Sequence, residues 1–477
     1  MGGKKKPDVK LLYGTLMADT TVVPECEEES RMLSFMGKDA DGREAMFDMS
    51  EKMCSKHILL IGSIGTGKTN TFYHIIEYMD ANMTQDDVML IFDTKGDFYS
   101  DFYLDGADYI IGNSSMFLDK TSYWNIFREI EHGGVLIEEK KLLAKEMAKS
   151  LFENRKNTSQ PFFSSAATDL FAKVLIGTMR RELWDLPEYI QLEERLMRDR
   201  NDTDAVRKQH LLFEKNVGRL NNRFLTKEIF FKWDGKDYIE LLDEFEEFRS
   251  AKTYIGDGSS NQALGVFGEL NSMVNDYFVG IFGDYRPGRD VSLRELIHNK
   301  DGKKIFIEYD LSIGQVLAPI YSLLIDLGLK EALGRERTEG NTFLIIDEYS
   351  QLPVIHHMTD AVNFGRSLGI KLVAGIQTIK QLEDIYGETG GQVIASGFSN
   401  VFAFRMTDEP SRKYVSELFG KNYVSISYWD ESGKEQVAER EGNTVEDWDT
   451  RSLPIGMAVI GLTGYPPFLF RFKEFET

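Results

Sequence analysis

An apolar run, His57-Ile58-Leu59-Leu60-Ile61, passes directly into Gly62-Ser63-Ile64-Gly65-Thr66-Gly67-Lys68-Thr69, and this junction restricts the chain more than any other stretch. The spacing G-x-x-x-x-G-K-T is that of a phosphate-binding loop. Glycines at 62, 65 and 67 let the backbone curl so that its N–H groups point inward, and a following helix adds the positive end of its dipole. In such a loop Lys68 reaches the β and γ phosphates of ATP and the Thr69 hydroxyl ligates Mg2+. The expected nucleotide contacts are therefore Gly62, Ser63, Ile64, Gly65, Thr66, Gly67, Lys68, Thr69 and Asn70. Phe72, Ile75, Ile76 and Met79 recur at i, i+3, i+4 and i+7, which predicts the helix. A glycine-rich turn without a ligand is the alternative, and strand, loop and helix in one register weigh against it.

Other apolar runs repeat the strand signal and end in polar groups. Val88-Met89-Leu90-Ile91-Phe92 reads as a strand buried in a parallel sheet and closes on Asp93-Thr94-Lys95-Gly96-Asp97. Carboxyl ends of such strands are where open α/β sheets bind ligands, so Asp93 and Lys95 are site candidates, with an ordinary strand-ending turn equally open. Phe343-Leu344-Ile345-Ile346 closes on Asp347-Glu348. Asp347 is expected to hold Mg2+ through water with Thr69, and Glu348 to polarise the attacking water. Lys371-Leu372-Val373-Ala374-Gly375-Ile376 ends at Gln377, placed to sense the γ-phosphate. Shorter strands are expected at 109–111, 304–309 and 401–404, with β additions to the sheet edge at 457–462 and 468–472. Helices are expected near 314–335, 356–368 and 408–419, so the fold class is α/β.

Composition narrows the partners. Against 56 basic residues stand 77 acidic ones, a formal net charge of −21, which excludes a surface that coats nucleic acid indiscriminately. Cys26 and Cys54 form no disulfide or zinc framework, as suits a reducing cytoplasm. The basic start Met1-Gly2-Gly3-Lys4-Lys5-Lys6 lacks an apolar h-region, and Lys6 stands where a lipidation signal at Gly2 needs Ser or Thr. The most apolar helical stretch, 313–329, contains Gln315, Pro319 and Asp326 and falls short of a membrane span, so no transmembrane segment is expected. Residues 1–55 are mixed and polar, with a solvated acidic run at 25–29. From 126 to 300 the pattern is mostly helical. There Lys215, Arg219, Arg223 and Lys227, four apart, form a basic stripe drifting about 40° per step around a helix. That stripe either touches a nucleic-acid backbone or, as most such stripes do, is a solvated face with acidic neighbours. His356 and His357 are no metal pair, because adjacent helical side chains diverge by about 100°.

Taken together, the phosphate loop, Asp93-Thr94-Lys95-Gly96-Asp97, Asp347-Glu348-Tyr349, Gly365-Arg366-Ser367-Leu368-Gly369-Ile370 and Gly375-Ile376-Gln377 resemble those of the type IV coupling proteins. These are the TraG- and TraD-like ATPases of conjugation and type IV secretion. Gln381-Leu382-Glu383-Asp384-Ile385-Tyr386-Gly387 extends the likeness, which covers about 55–130 and 300–472. The resemblance implies a RecA-like nucleotide-binding domain at 56–125 and 301–477, after an N-terminal segment 1–55, interrupted by an inserted all-α domain at 126–300. It implies six copies in a homo-oligomeric ring around a DNA channel, with Lys68, Asp347, Glu348 and Gln377 as catalytic set and Arg366 as an arginine supplied to the neighbouring subunit. A surface arginine capping a helix end is the other reading of Arg366. Typical members of the family begin with transmembrane helices, and none is expected in this chain. The expectation is thus a cytoplasmic ATPase, peripheral at the inner face of the membrane through an anchored partner, that moves DNA or a relaxase-type protein substrate. Delivery of protein substrates without DNA, and a nucleotide-switched assembly scaffold, are the alternatives.

Overall fold

The computed structural model describes residues 8–155, 161–334, 340–429 and 434–476. The basic start Met1 to Lys6 and residue 335, the expected end of a helix, lie outside them. In chain order the first strands are β1 (Asp8–Tyr13), β2 (Arg31–Lys38), β3 (Glu44–Ser50), β4 (Ile58–Ile61), β5 (Val88–Asp93), β6 (Tyr109–Gly112), β7 (Tyr123–Trp124) and β8 (Asp290–Val291). They are followed by β9 (Lys303–Glu308), β10 (Thr342–Ile346), β11 (Ile370–Ile376), β12 (Asn400–Ala403), β13 (Lys421–Trp429), β14 (Glu435–Asn443), β15 (Met457–Gly461) and β16 (Phe468–Phe472).

The chain divides into two compact units, residues 1–106 with 301–304 and 335–477, and residues 107–300 with 305–334. In the first unit the strand order is β3-β2-β16-β15-β12-β4-β11-β10-β5. Strands β12, β4, β11, β10 and β5 run parallel. The remaining four extend the sheet on one side as antiparallel neighbours. Every residue of β4, β5, β10 and β11 is buried, which is why these segments are almost continuous apolar runs rather than alternating ones. Separately, β1, β13 and β14 form a three-stranded antiparallel sheet.

The polar-looking first 55 residues contain three strands, two of them in the main sheet. β2 and β3 are joined by a turn in which Asp39 Oδ1 accepts from the Asp41 and Arg43 amides, both at 2.9 Å, while Gly42 takes a φ of 81°. Phe47 of β3 is fully buried at the centre of a ring cluster. It stacks on Phe35 at 4.9 Å and meets Phe468 and Phe470 edge-on at 5.4 and 4.8 Å.

The second unit is mainly helical, with Ile137–Phe152, Pro161–Met179, Pro187–Arg198, Thr203–Asn216, Asn261–Tyr277 and Gly314–Ala332 as its long helices. It also holds the parallel pairs β6 with β9 and β7 with β8. Its interior carries a satisfied ion pair: the Lys140 ammonium donates to Glu131 at 2.7 Å and to the Tyr189 hydroxyl at 2.6 Å, and all three are buried. Among the described residues no helix is long and apolar enough to cross a membrane.

The basic stripe does not lie on one helix. The helix carrying Lys215 ends at Asn216, residues 217–221 turn, and Asn221 starts a new helix by accepting the Phe224 amide at 2.9 Å. Lys227 then sits in a π-helical stretch, Leu225–Phe230. The apolar period continues through this break, whereas Gly218 and the Asn221 cap interrupt the backbone. Arg219 pairs with Glu182 at 3.2 Å and Arg223 lies 3.8 Å from Asp284, so these arginines have acidic neighbours.

Phe47→Ala should lower stability by about 3–5 kcal/mol, the range for emptying a buried aromatic site. A urea transition at the wild-type midpoint would show that β2 and β3 are not part of the core.

Candidate nucleotide-binding site

Strand β4 ends at Ile61, the loop 62–67 follows, and a 15-residue helix, Lys68–Asn82, begins directly after Gly67. Gly65 and Gly67 have φ of 70° and 110°, which no side chain adopts without strain. Backbone clamps hold the loop: Gly62 N–H donates to Ile376 at 3.2 Å, Ser63 N–H to Arg405 at 2.9 Å, and Gly456 N–H to Thr66 at 2.9 Å. Inside the loop the Thr66 hydroxyl donates to the Ser63 carbonyl at 2.7 Å, and the Ser63 hydroxyl lies 3.1 Å from that of Thr407. The Lys68 ammonium folds back on the carbonyl oxygens of Gly62 and Ser63. Its pKa is lowered by burial, against the opposing pull of Glu348 and Asp347. Thr69 occupies the first helical turn, half-buried, and Ile64 stands out at the loop tip, 77% exposed.

Sheet order brings the other groups to this loop. β11 lies between β4 and β10, all three parallel, so Gln377 emerges between the loop and the Asp347-Glu348 pair. Glycine at 375 is required there, because a Cβ would stand 2.2 Å from the Asp347 carbonyl oxygen and 3.0 Å from the Phe72 ring. Gln377 donates its side-chain N–H to Glu348 Oε2 at 2.7 Å, and the Ser350 hydroxyl donates to Oε1 at 2.6 Å. Glu348 is thus a carboxylate fixed by two donors with lone pairs left to accept a proton. Asp347 is buried, and its pKa is pushed up to about 7, first by desolvation and then by Asp93, with Lys95 and Lys68 opposing and Glu348 reinforcing. A buried carboxylic acid beside a phosphate-type loop fits a site completed by a divalent cation, whose charge would favour ionisation.

Two of the expected contacts, Asp93 and Asn70, are bonded within the chain. The Asp93 carboxylate is taken up by its own turn: Oδ1 accepts the amides of Lys95 and Gly96, and Oδ2 those of Phe98 and Tyr99, between 2.9 and 3.2 Å. Lys95, beyond it, is exposed and acts on Asp347 through its charge. The Asn70 amide is engaged by residues far along the chain, donating to the Lys473 carbonyl at 2.9 Å and accepting the Phe475 amide at 2.8 Å. His74 Nε2 lies 2.8 Å from the same Lys473 oxygen, and Phe475 stacks on Tyr73 at 4.9 Å. Arg366 lies in a short 3-10 turn, Gly365–Leu368, ahead of β11. It is therefore at the amino edge of the sheet, about 20 Å of strand away from Gln377 at roughly 3.3 Å per residue. The loop clamps through Arg405 and Gly456 and the tail on Asn70 were hidden in the sequence, because backbone contacts across hundreds of residues leave no local pattern. Hidden too was the part played by Tyr386, whose hydroxyl lies 2.8 Å from that of Tyr349 and accepts the Ile355 amide at 3.0 Å, bracing the segment after Glu348.

Known proteins share the family and the fold of this chain. The family description "type IV secretion-system coupling protein DNA-binding domain" matches residues 45–209 and 239–446. Coupling protein TraD of Escherichia coli (strain K12) is 21% identical over 463 residues, 94% of this chain and 55% of TraD, so the chain spans about half the length of that curated relative. Among solved structures, the unbound monoclinic form of the bacterial conjugative coupling protein TrwBdeltaN70 has a TM-score of 0.69 at 19% identity, over 98% of this chain and 94% of that one. Plasmid coupling protein TrwB in complex with ADP and Mg2+ has a TM-score of 0.65 at 18% identity, over 96% of this chain and 97% of that one. At these identities the structural likeness establishes the RecA-like α/β fold.

The raised pKa of Asp347 has a consequence for stability. Its unfolded carboxyl ionises near 3.8 and the folded one near 7, so between these values the folded chain keeps a proton that the unfolded chain has lost. Stability is therefore lost as pH rises through that window. In nucleotide-free protein Asp347→Asn should raise stability at pH 8 by as much as about 4 kcal/mol and leave it unchanged near pH 3.5. Urea midpoints at the two pH values measure this. An equal effect at both would mean that Asp347 ionises as an ordinary carboxylate.

Proposed function

The chain belongs to the family of type IV secretion-system coupling proteins, and from that premise we propose that it is an ATP-hydrolysing motor. It would drive DNA, or a relaxase-type protein joined to DNA, through a homo-hexameric ring toward a secretion or conjugation apparatus. The observation that carries this reading is the convergence, at adjoining strand ends, of the Lys68 loop with Asp347, Glu348 and Gln377. Residues 126–300 serve in it as the inserted helical domain.

Each residue then has a task. The loop amides and Lys68 bind the β and γ phosphates, and Lys68 leaves the Gly62 and Ser63 carbonyls because a charged phosphate oxygen is the stronger acceptor. An ion at this site would be held by Thr69, by Asp347 through water, and by phosphate oxygens. Mg2+ bound there would neutralise charge between the β and γ phosphates. Glu348 accepts the proton of the attacking water, and its two donors keep the carboxylate aimed. Gln377 positions that water and reports the γ-phosphate to Glu348 through their shared hydrogen bond. Arg366 is too far from its own loop to assist, so it acts on the site of a neighbouring subunit, where arginine fingers contribute about 10³–10⁵ in rate.

Delivery of protein without DNA is the second reading. It is favoured by the net charge of −21 and by the pairing of Arg219 and Arg223 with acids. Turnover stimulated by single- or double-stranded DNA supports the first reading, and indifference to both supports the second.

Lys68→Ala should abolish ATP turnover, and Glu348→Gln should bind ATP at wild-type affinity while hydrolysing it at least a hundredfold more slowly. Wild-type turnover in the first variant, or loss of binding in the second, overturns the roles assigned to these two side chains.

Subunit mixing tests Arg366. Arg366→Ala and Lys68→Ala should each be nearly inactive alone, and mixed rings should regain turnover wherever an intact loop meets an intact arginine. Full activity of Arg366→Ala by itself would remove the finger.

A further inference from the structure

Both donors that fix the Glu348 carboxylate lie on segments held by one short piece of helix, to which the mechanism above gives no task. The helix Lys380–Gly397 is broken at Gly387, whose φ of 75° and ψ of 161° suit glycine alone, so that Lys380 to Tyr386 stand as a separate piece. Near its start the Gln381 side-chain oxygen accepts the Gln377 amide at 2.8 Å and the Thr378 amide at 3.4 Å. At its end the Tyr386 hydroxyl lies 2.8 Å from that of Tyr349 and accepts the Ile355 amide at 3.0 Å. Gln377 is the donor to Glu348 Oε2, and Ser350, the donor to Oε1, sits between the two residues that Tyr386 holds.

The piece is itself anchored at both ends. Thr378 Oγ1 donates to Asp408 Oδ2 and Ile379 N–H to Ser411 Oγ, both at 2.9 Å, which bonds its amino end to the start of the helix Glu409–Phe419. Thr407, the residue before Asp408, donates its amide to the Ser63 hydroxyl of the phosphate loop at 3.2 Å. Beyond the break the chain folds back on the piece, and Gly391 passes so close that a Cβ there would stand 2.7 Å from the Glu383 nitrogen. The helical piece therefore spans from the phosphate-loop side of the sheet to the segment that follows Glu348.

We propose that Lys380 to Tyr386 form a strut that aims Glu348, with Gln381 and Tyr386 as positioning residues for the hydrolytic step. Gln381 holds the strand end that carries Gln377, and Tyr386 holds the turn that carries Ser350, so one rigid piece of helix sets both donors on the carboxylate. Such support matters because a base must stay within hydrogen-bond reach of the water it deprotonates, and a misplacement of about 1 Å costs about 10²-fold in rate. This rests on the reading of Glu348 as the base and deepens it by assigning what keeps the base in place.

The test measures single-turnover ATP hydrolysis and equilibrium ATP binding by the full chain. Tyr386→Phe keeps the ring and removes the hydroxyl, and Gln381→Met removes the acceptor; each should hydrolyse ATP at least about tenfold more slowly at unchanged ATP affinity. Gln381→Glu retains an acceptor oxygen and should recover most of what Gln381→Met loses. Ser350→Ala should slow hydrolysis as Tyr386→Phe does, and the two together should be no slower than the slower one, because both act through Oε1 of Glu348. Tyr386→Phe with Gln381→Met, which loosens both donors, should be slower than either alone.

Additive losses for Tyr386→Phe and Ser350→Ala, or a fall in ATP affinity that matches the fall in turnover, make the piece a general support of the fold and overturn the strut. Wild-type turnover of either Tyr386→Phe or Gln381→Met beside an inactive Glu348→Gln also overturns the strut and leaves the base in place. Wild-type turnover of Glu348→Gln removes the base and the strut with it.

Discussion

An ammonium and two carboxyl groups sharing one dehydrated corner of a parallel sheet set the terms for the rest of the first unit. Lys68, Asp347 and Glu348 reach that corner only because β11 separates β4 from β10, so that loop, acid pair and Gln377 leave the sheet side by side. Burial penalises every charged form present: the Lys68 pKa falls and that of Asp347 rises to about 7. Lys68 is bonded to the loop's own carbonyls, and Asp347 stands close to protonation at neutral pH. Two fixed donors hold the Glu348 carboxylate, while Asp347 faces Asp93.

The two edges of the parallel strands use their charges differently. At the carboxyl edge Lys68, Glu348 and Gln377 bond within the chain, and even Asp93, which looked available, is consumed by four amides of its own turn. At the amino edge Lys371 and Glu51 satisfy each other, and among the described residues Lys52, Lys56 and Arg366 form no ion pair. One edge is organised inward and the other outward.

The parallel strands were legible because residues covered on both faces produce unbroken apolar runs, and the phosphate loop because its glycines and Lys68 have fixed offsets from the strand. Family likeness to coupling proteins was legible from the same strand ends. β2 and β3 were not, since Arg31, Lys38, Glu44 and Asp48 dilute the alternation, and the turn signal of Asp39 and Gly42 was the one clue. The basic stripe misled for the opposite reason: side-chain spacing at 215, 219, 223 and 227 is helical, but Gly218 and the Asn221 cap break the backbone that spacing assumes. Asn70 was assigned to nucleotide by adjacency to Lys68, and nothing local announces that Lys473 and Phe475 occupy its amide.

The placement of β16 between β2 and β15 bears on how such a chain emerges during synthesis. β2 pairs within the sheet with β16, which is translated roughly 400 residues after it. Until then Phe35 and Phe47 have each other but not the rings of Phe468, Phe470 and Phe472 that enclose them. Until β16 is made, the β2–β3 hairpin is an unpaired aromatic edge, the kind of surface through which incomplete chains associate.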